Sequence, residues 1–367
     1  MNVLVWNSWI TPAGGMERVA LSIANGLADR GCGVTLAGPY ESVPLLRQAI
    51  NPKVDFVQCD FSRSAKSIFE NALFLRRLVR DRSIDVISAH GSLFPLLPAR
   101  VPVAWTEHGP RYGHGKIMSG PKTLPWMAVR SKLRRGDWIL VGCSRFVCQH
   151  VGAQLELPES SMAVIYNGVP KAEALSSLPP PEWNQPARIG LLGRVEPEKY
   201  PGDIFILDEE LQRRGVPCEW HIFGEGSLSG EMRRRTAGHP RIKMRGLASS
   251  GAEALAQMDA MVFLSHGEME GMPTVLLEAR LARRPVVAWN VTANPESVGP
   301  LDKLVEPFDL VSFAGALESV IRDKLVPPPV GDEISYDRMV DEYHRLLASM
   351  TRRSVGAVER TMLGADS

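Results

Sequence analysis

Residues 3–37 read VLVWNSWITPAGGMERVALSIANGLADRGCGVTLA, and their order decides the fold. An apolar run at 3–6 is followed by a loop with Gly14 and Gly15. Val19, Ile23 and Leu27 then recur on one helix face, and a second apolar run occupies 34–37. Gly31 and Gly33 stand where a helix C-terminal cap is expected. Strand, loop, helix and strand within so few residues predict a crossover unit whose two strands are parallel.

The rhythm continues outward. Strands are expected at 54–57, 86–89, 103–106, 138–142 and 162–166, with helical stretches such as 65–80 between them. A second series follows at 189–192, 219–223, 242–244, 260–264 and 286–288. The reading is α/β: two doubly wound, parallel-sheet (Rossmann-like) domains facing a cleft, with chemistry just after the strands. Pro179-Pro180-Pro181 suggests a stiff linker. The expected division is a first domain at 1–170, a linker at 171–186 and a second domain at 187–334. A helix at 335–350, released by Pro327-Pro328-Pro329, can cross back to the first domain, and 351–367 reads as a flexible tail.

The chain has 367 residues, two domains' worth at roughly 100–200 residues each. Its 44% hydrophobic and 23% charged content suits a globular protein, and a net charge of +1 gives no global footprint for nucleic acid. Five cysteines, Cys32, Cys59, Cys143, Cys148 and Cys218, include no C-x-x-C pair, which fits reduced thiols better than disulfides or zinc. The first residues lack a basic signal-peptide start and no window holds ~20 consecutive apolar residues, so a cytoplasmic protein is expected.

The sharpest chemical signal is Glu270-Gly271-Met272-Pro273-Thr274-Val275-Leu276-Leu277-Glu278, directly after the strand at 260–264. A helix starting near Pro273 or Thr274 offers free backbone N–H groups to a phosphate. The flanking carboxylates can accept from hydroxyl pairs: Glu278 from a ribose, Glu270 from a sugar. The bland alternative is a solvated loop glutamate and a surface helix charge. Arg194 and Lys199, in Gly193-Arg194-Val195-Glu196-Pro197-Glu198-Lys199, suit a diphosphate and the charge that grows as it leaves. With Glu196 and Glu198 beside them, they also read as a self-neutralising surface turn. Gly14-Gly15 and Gly224-Glu225-Gly226 are weaker, each compatible with a plain turn. His108 follows a strand and can serve a sugar hydroxyl or remain a structural histidine; His90 has the same placement. Without Asp-x-Asp or H-E-x-x-H spacing, no metal or other cofactor is expected, and Arg194 and Lys199 stand in for one.

In order, Gly14 to Arg18, His108, Ser144, Asn167-Gly168-Val169, Gly193-Arg194 with Lys199, Gly224 with Gly226, and Glu270 with Glu278 resemble the retaining glycosyltransferases of family 4, with their two-domain GT-B fold. The resemblance covers about residues 1–350. It implies that Arg194 and Lys199 hold the donor diphosphate, Glu278 the ribose, and Glu270 the donor sugar near its reacting carbon. It puts Gly15 near the phosphates, Gly224, Gly226, Gly271, Met272, Pro273 and Thr274 in the donor site, His108 near donor sugar and acceptor, and Gly14 at the acceptor. There are departures: 265–270 is about two residues longer than the usual Ser-x-x-Glu and adds Glu268, and Tyr200 stands where glycine is common.

The expected activity is retaining, metal-independent transfer from a nucleotide diphosphate sugar, UDP-linked by preference, to a saccharide or lipid-linked hydroxyl acceptor. A sugar-nucleotide epimerase or hydrolase and an inactive nucleotide-sugar-binding protein are the alternatives. Residues 124–135, with Trp126 and Met127 beside Arg130, Lys132, Arg134 and Arg135, can form an interfacial helix for peripheral membrane contact, or a plain basic helix packed on its domain.

Overall fold

The chain divides into two α/β units, Met1–Gly168 with Tyr336–Ser367, and Val169–Ser335. The structure is a computed structural model that describes residues 1–8, 15–59, 64–91, 93–110, 123–170, 172–266 and 270–363, without the side chains of 65, 123 and 353–363.

In the first unit the order is β1 (Asn2–Asn7), α1 (Gly15–Asp29), β2 (Gly33–Gly38), α2 (Pro44–Gln48), β3 (Asp55–Gln58), α3 (Ala65–Asp81), β4 (Val86–His90), β5 (Val103–Glu107), α4 (Thr123–Arg134), β6 (Trp138–Gly142), α5 (Arg145–Gln154) and β7 (Met162–Val164). The strands form one parallel sheet, β3-β2-β1-β4-β5-β6-β7. Val3, Leu4, Val5 and Trp6 of the central β1 are fully buried, as an unbroken apolar run covered on both faces must be.

The second unit holds α6 (Ala172–Ser176), β8 (Ala187–Leu192), α7 (Asp203–Arg213), β9 (Cys218–Phe223), α8 (Ser229–Thr236), β10 (Ile242–Gly246), α9 (Gly251–Ala256), β11 (Ala260–Phe263), α10 (Thr274–Leu281), β12 (Val286–Trp289), α11 (Asn294–Ser297), β13 (Lys303–Val305) and α12 (Leu310–Arg322). Its sheet is again parallel, β10-β9-β8-β11-β12-β13. Both orders reverse direction after their first-formed strand, β1 or β8, which puts the ligand-binding switch point of a doubly wound sheet at the C-terminal ends of those strands.

Two expectations are corrected and one strand is added. The stretch expected as a linker at 171–186 is part of the second unit from 172 on: α6 packs on α10 and α9, and Leu175 and Trp183 are buried there, because the chain on either side of the prolines carries large apolar side chains. Strand β13, with only Leu304 and Val305 as apolar residues, carries too short a run to announce itself in the sequence. The terminal helix α13 (Tyr336–Leu363) runs past 350 into the stretch expected as a tail; 364–367 lie outside the described residues.

Helix α13 belongs to the first unit. Met339, Val340, Tyr343, Leu347 and Met350 are buried with Val19, Ile23 and Leu27 of α1 in a single core. The Tyr336 hydroxyl donates to Ser22 O at 2.9 Å, and Tyr343 and Thr106 share a buried hydroxyl contact at 3.0 Å. The helices meet over Gly26, where a Cβ would sit 2.6 Å from Val340 Cγ2 and 2.7 Å from the Tyr336 hydroxyl. Replacing a helical glycine by alanine ordinarily gains up to ~1 kcal/mol. Gly26→Ala is instead expected to lose about 1–3 kcal/mol through overpacking, read as a lower urea midpoint at unchanged m-value.

Candidate functional site

The loops leaving β8, β9 and β10 lie against one another with almost no space for side chains. Gly193 and Gly224 both have positive φ, 145° and 143°, and a Cβ on Gly224 would run into Gly193 O. The Gly193 amide donates to Phe223 O (3.0 Å) and the Gly224 amide to Gly246 O (2.8 Å). A step further out, the Val195 amide donates to Glu225 O at 3.0 Å, and a Cβ on Gly226 would collide with Val195 O. Gly224 and Gly226 thus answer first to protein packing, a signal the Gly-x-Gly spacing carries only in part.

This packing fixes the turn that presents the two cations. Arg194 Nη2 is 2.9 Å from Glu198 Oε1, and Lys199 pairs with Glu270, which also accepts a hydrogen bond from Ser265 Oγ at 2.8 Å. The Glu196 carboxylate accepts from Ser227. Each of the two cations thus holds a carboxylate, Arg194 within its own turn and Lys199 across to Glu270. The Lys199 ammonium also stands 5.6 Å from the centre of the Phe263 ring. The structure thus unites Lys199 and Glu270, 71 residues apart, through the adjacency of β8 and β11.

Tyr200, at the position where glycine is common, keeps the left-handed backbone a glycine would take (φ 48°, ψ 47°). Its ring stacks on His266 at 3.5 Å between centroids, and Phe308, also at positive φ, reaches the same imidazole at 4.1 Å. Sequence reading missed this aromatic group; one signal was the bulky residue in a glycine's place. Glu268 lies outside the described residues.

Helix α10 starts at Thr274, with Pro273 as its N-terminal flanking residue, as expected. Gly271, Met272 and Pro273 are buried; the Leu276 amide donates to Pro273 O at 3.1 Å, and the Thr274 and Val275 amides precede the first acceptor of their own helix. Glu278, one turn in, is half-buried with its carboxylate against Gly251, the first residue of α9, where a Cβ would displace it. It is no plain surface charge. Contacts therefore run from Glu270 through Lys199 and the three glycine-bearing loops to α9 and Glu278, and return through α10.

In the first unit the C-terminal ends of β4 and β5 bring two histidines together. His90 Nδ1 lies 2.9 Å from His108 Nε2, and His90 Nε2 lies 3.2 Å from Ser88 Oγ. The Ser8 amide donates to His90 O at 3.2 Å. Gly15 opens α1, and among the described residues nothing lies within 4 Å of a would-be Cβ; Gly14 lies outside the described residues. The membrane expectation for 124–135 is trimmed. Trp126 is buried against Phe94 and Trp105, Arg130 pairs with Glu156, and Lys132 lies over Trp138 and donates to Ala99 O.

Burial holds His90 well below the usual histidine range, with His108 adding to the effect, and pushes His108 down to about 4. The folded chain refuses protons that the unfolded chain accepts below about 6.5, so stability falls as pH drops from 7 towards 4. His108 alone is expected to cost about 2 kcal/mol by pH 5. The fall in Tm between pH 7 and pH 5 should accordingly be smaller in His108→Gln than in the parent chain.

Among the described residues no helix is long and apolar enough to cross a membrane, and no group of three or more His, Cys, Asp or Glu is placed to hold a metal ion. Two family models match the chain: Glycosyltransferase Family 4 over residues 13–173 and Glycosyl transferases group 1 over 186–323. A curated relative, the poly(ribitol-phosphate) alpha-N-acetylglucosaminyltransferase of Staphylococcus aureus (strain COL), is 19% identical over 161 residues, which are 42% of this chain and 32% of that protein. The match thus spans about a third of the relative's length. A glycosyltransferase from Rickettsia africae superposes with a TM-score of 0.73 at 15% identity, covering 95% of this chain and 98% of that one. Anabaena HepE, solved in complex with UDP, gives 0.69 at 16%, covering 98% and 100%. With both α/β units matched in order by these models, the chain belongs to the family 4 glycosyltransferases and has the GT-B fold.

Proposed function

We propose that the protein transfers a sugar from a nucleotide diphosphate sugar, UDP-linked by preference, to a hydroxyl acceptor on a saccharide or lipid-linked saccharide, with retention and without a metal. The observation that carries this reading is the Lys199–Glu270–Ser265 contact beside the start of α10. An incoming diphosphate takes Glu198's place on Arg194 and Glu270's place on Lys199, while α10 amides meet the phosphate oxygens. Glu270, released from Lys199, accepts from hydroxyls of the donor sugar, and Glu278 accepts from the ribose. The bond from the anomeric carbon to the phosphate oxygen breaks with its electron pair going to that oxygen, whose charge the two cations stabilise. The acceptor oxygen bonds the same face of the anomeric carbon, and its proton passes to the departing phosphate. In the first unit, Gly15 is assigned to the phosphates and His108 to a sugar hydroxyl. A UDP donor is supported by the ligand named in the Anabaena structure. A cytoplasmic setting is supported by five cysteines with no disulfide among them.

Arg194→Ala and Lys199→Ala are each expected to lower turnover ~10²–10³-fold, the range for losing one oxyanion-stabilising donor. Unchanged turnover in both removes the assignment. Donor consumption with and without a pool of acceptors separates the alternatives: a transferase needs the pool, a hydrolase or epimerase does not, and a binding protein consumes nothing. Turnover that survives EDTA supports metal independence, and loss restored by a divalent ion overturns it. UDP should raise the Tm of the parent chain and not of Glu278→Ala.

Leu124 and Met127, 78% and 52% exposed, share a face of α4 with Arg134, followed by Arg135, and favour shallow contact with an anionic membrane. Flotation with anionic but not neutral vesicles at low salt is expected; no flotation with either removes this contact.

A further inference from the structure

The histidine pair of the first unit decides which atom of His108 faces a ligand and what that atom carries. His108 Nε2 is occupied by His90, so the nitrogen left to a ligand is Nδ1, which has no partner among the described residues. A hydrogen bond between two imidazole nitrogens holds one proton and needs one lone pair, so the direction of the chain from Ser88 through His90 to His108 sets both tautomers. Ser88 Oγ is fully buried, and among the described residues its partner is His90 Nε2 alone. If His90 donated to Ser88, the serine proton would be buried with no acceptor, so Ser88 is the donor. His90 Nε2 accepts, His90 Nδ1–H donates, and His108 Nε2 accepts.

We infer that Ser88 and His90 are positioning residues that lock His108 in the Nδ1–H tautomer, making it a neutral hydrogen-bond donor to an oxygen of the saccharide rather than a base that could deprotonate the acceptor. This rests on the reading of the site as a glycosyltransferase centre and gives its acceptor-side imidazole a definite role. A donor at this position is matched to a lone pair on a hydroxyl, ring or carbonyl oxygen. The acceptor's proton must then leave by another route, consistent with its passage to the departing phosphate. The buried groups facing the pair are Ser88 from β4, Thr106 from β5 and Tyr343 from α13. Thr106 and Tyr343 bond one another.

The test is imidazole nitrogen NMR of histidine-labelled, full-length protein near pH 7, paired with kinetics. His108 is expected to carry its proton on Nδ1. In His90→Phe, which fills the space without a donor, His108 should relax to the Nε2–H form and kcat should fall about 10–100-fold, the usual loss when an orienting partner is removed. UDP should still raise the Tm of that variant. His90→Asn, whose side-chain amide sits near the Nδ1 position, should restore both tautomer and turnover. His90→Phe combined with His108→Ala should lose no more than His108→Ala alone. An Nε2–H or cationic His108 in the parent chain overturns the inference, as does a tautomer indifferent to His90→Phe. The spectroscopic arm needs no turnover, so a parent chain that consumes no nucleotide sugar defeats the transferase reading while leaving this one to be judged by its spectra.

Discussion

The close approach of backbone to backbone at Gly193, Gly224 and Gly246 is the constraint on which the second unit's chemistry depends. Three successive loops leave neighbouring strands and touch through amides and carbonyls, with no Cβ tolerated where Gly224 meets Gly193 O. The turn at 193–200 that follows this contact carries Arg194, paired with Glu198, and Lys199, which reaches Glu270 across the β8–β11 boundary. Side chains long enough to bridge looser loops would also be free enough to miss their ligand. Fixed backbone therefore does here what a preorganised site requires: it sets the charges before any ligand arrives.

The two ion pairs differ in how dry they are. Arg194 and Glu198 are 36% and 45% exposed, and a pair that open contributes little, in the range of 0–1 kcal/mol. Lys199 and Glu270 are drier, at 20% and 15%, and Ser265 holds the carboxylate from a second side. The proposed diphosphate would have to displace both carboxylates, whereas a monoanion that satisfies one cation would leave the other pair intact. Glu278, against the start of α9, adds an acceptor on the far side of α10's first turn. Cation, helix start and carboxylate form one sequence of contacts, so altering one loop changes the setting of the rest.

Much of this was legible in the amino-acid order. Buried parallel strands such as β1 and β6 announce themselves as apolar runs, and Pro273 marked the start of α10 within a residue. What stayed hidden required knowledge of neighbours. Tyr200 and His266 are 66 positions apart in the chain, and their stacking follows from which strands are adjacent. Ser88 and His90 are ordinary members of an apolar strand until β5 delivers His108 beside them. The triple prolines at 179–181 suggested a connector because proline breaks helix and strand alike, yet Leu175 and Trp183 on either side are packed into the second unit. Trp126 likewise suggested an anchor by composition and is instead spent on the first unit's interior.

The first unit closes its core with α13, whose Met339, Val340, Tyr343 and Leu347 are drawn from the far side of Val169–Ser335 in the chain. On the ribosome, the seven strands made first must therefore wait, with α1's apolar face uncovered, for roughly 10–30 s of elongation while the whole of the intervening unit is synthesised. The second unit, contiguous in the chain, can complete its own interior within that interval. Maturation thus runs against the order of synthesis, with the earliest-made half finishing last.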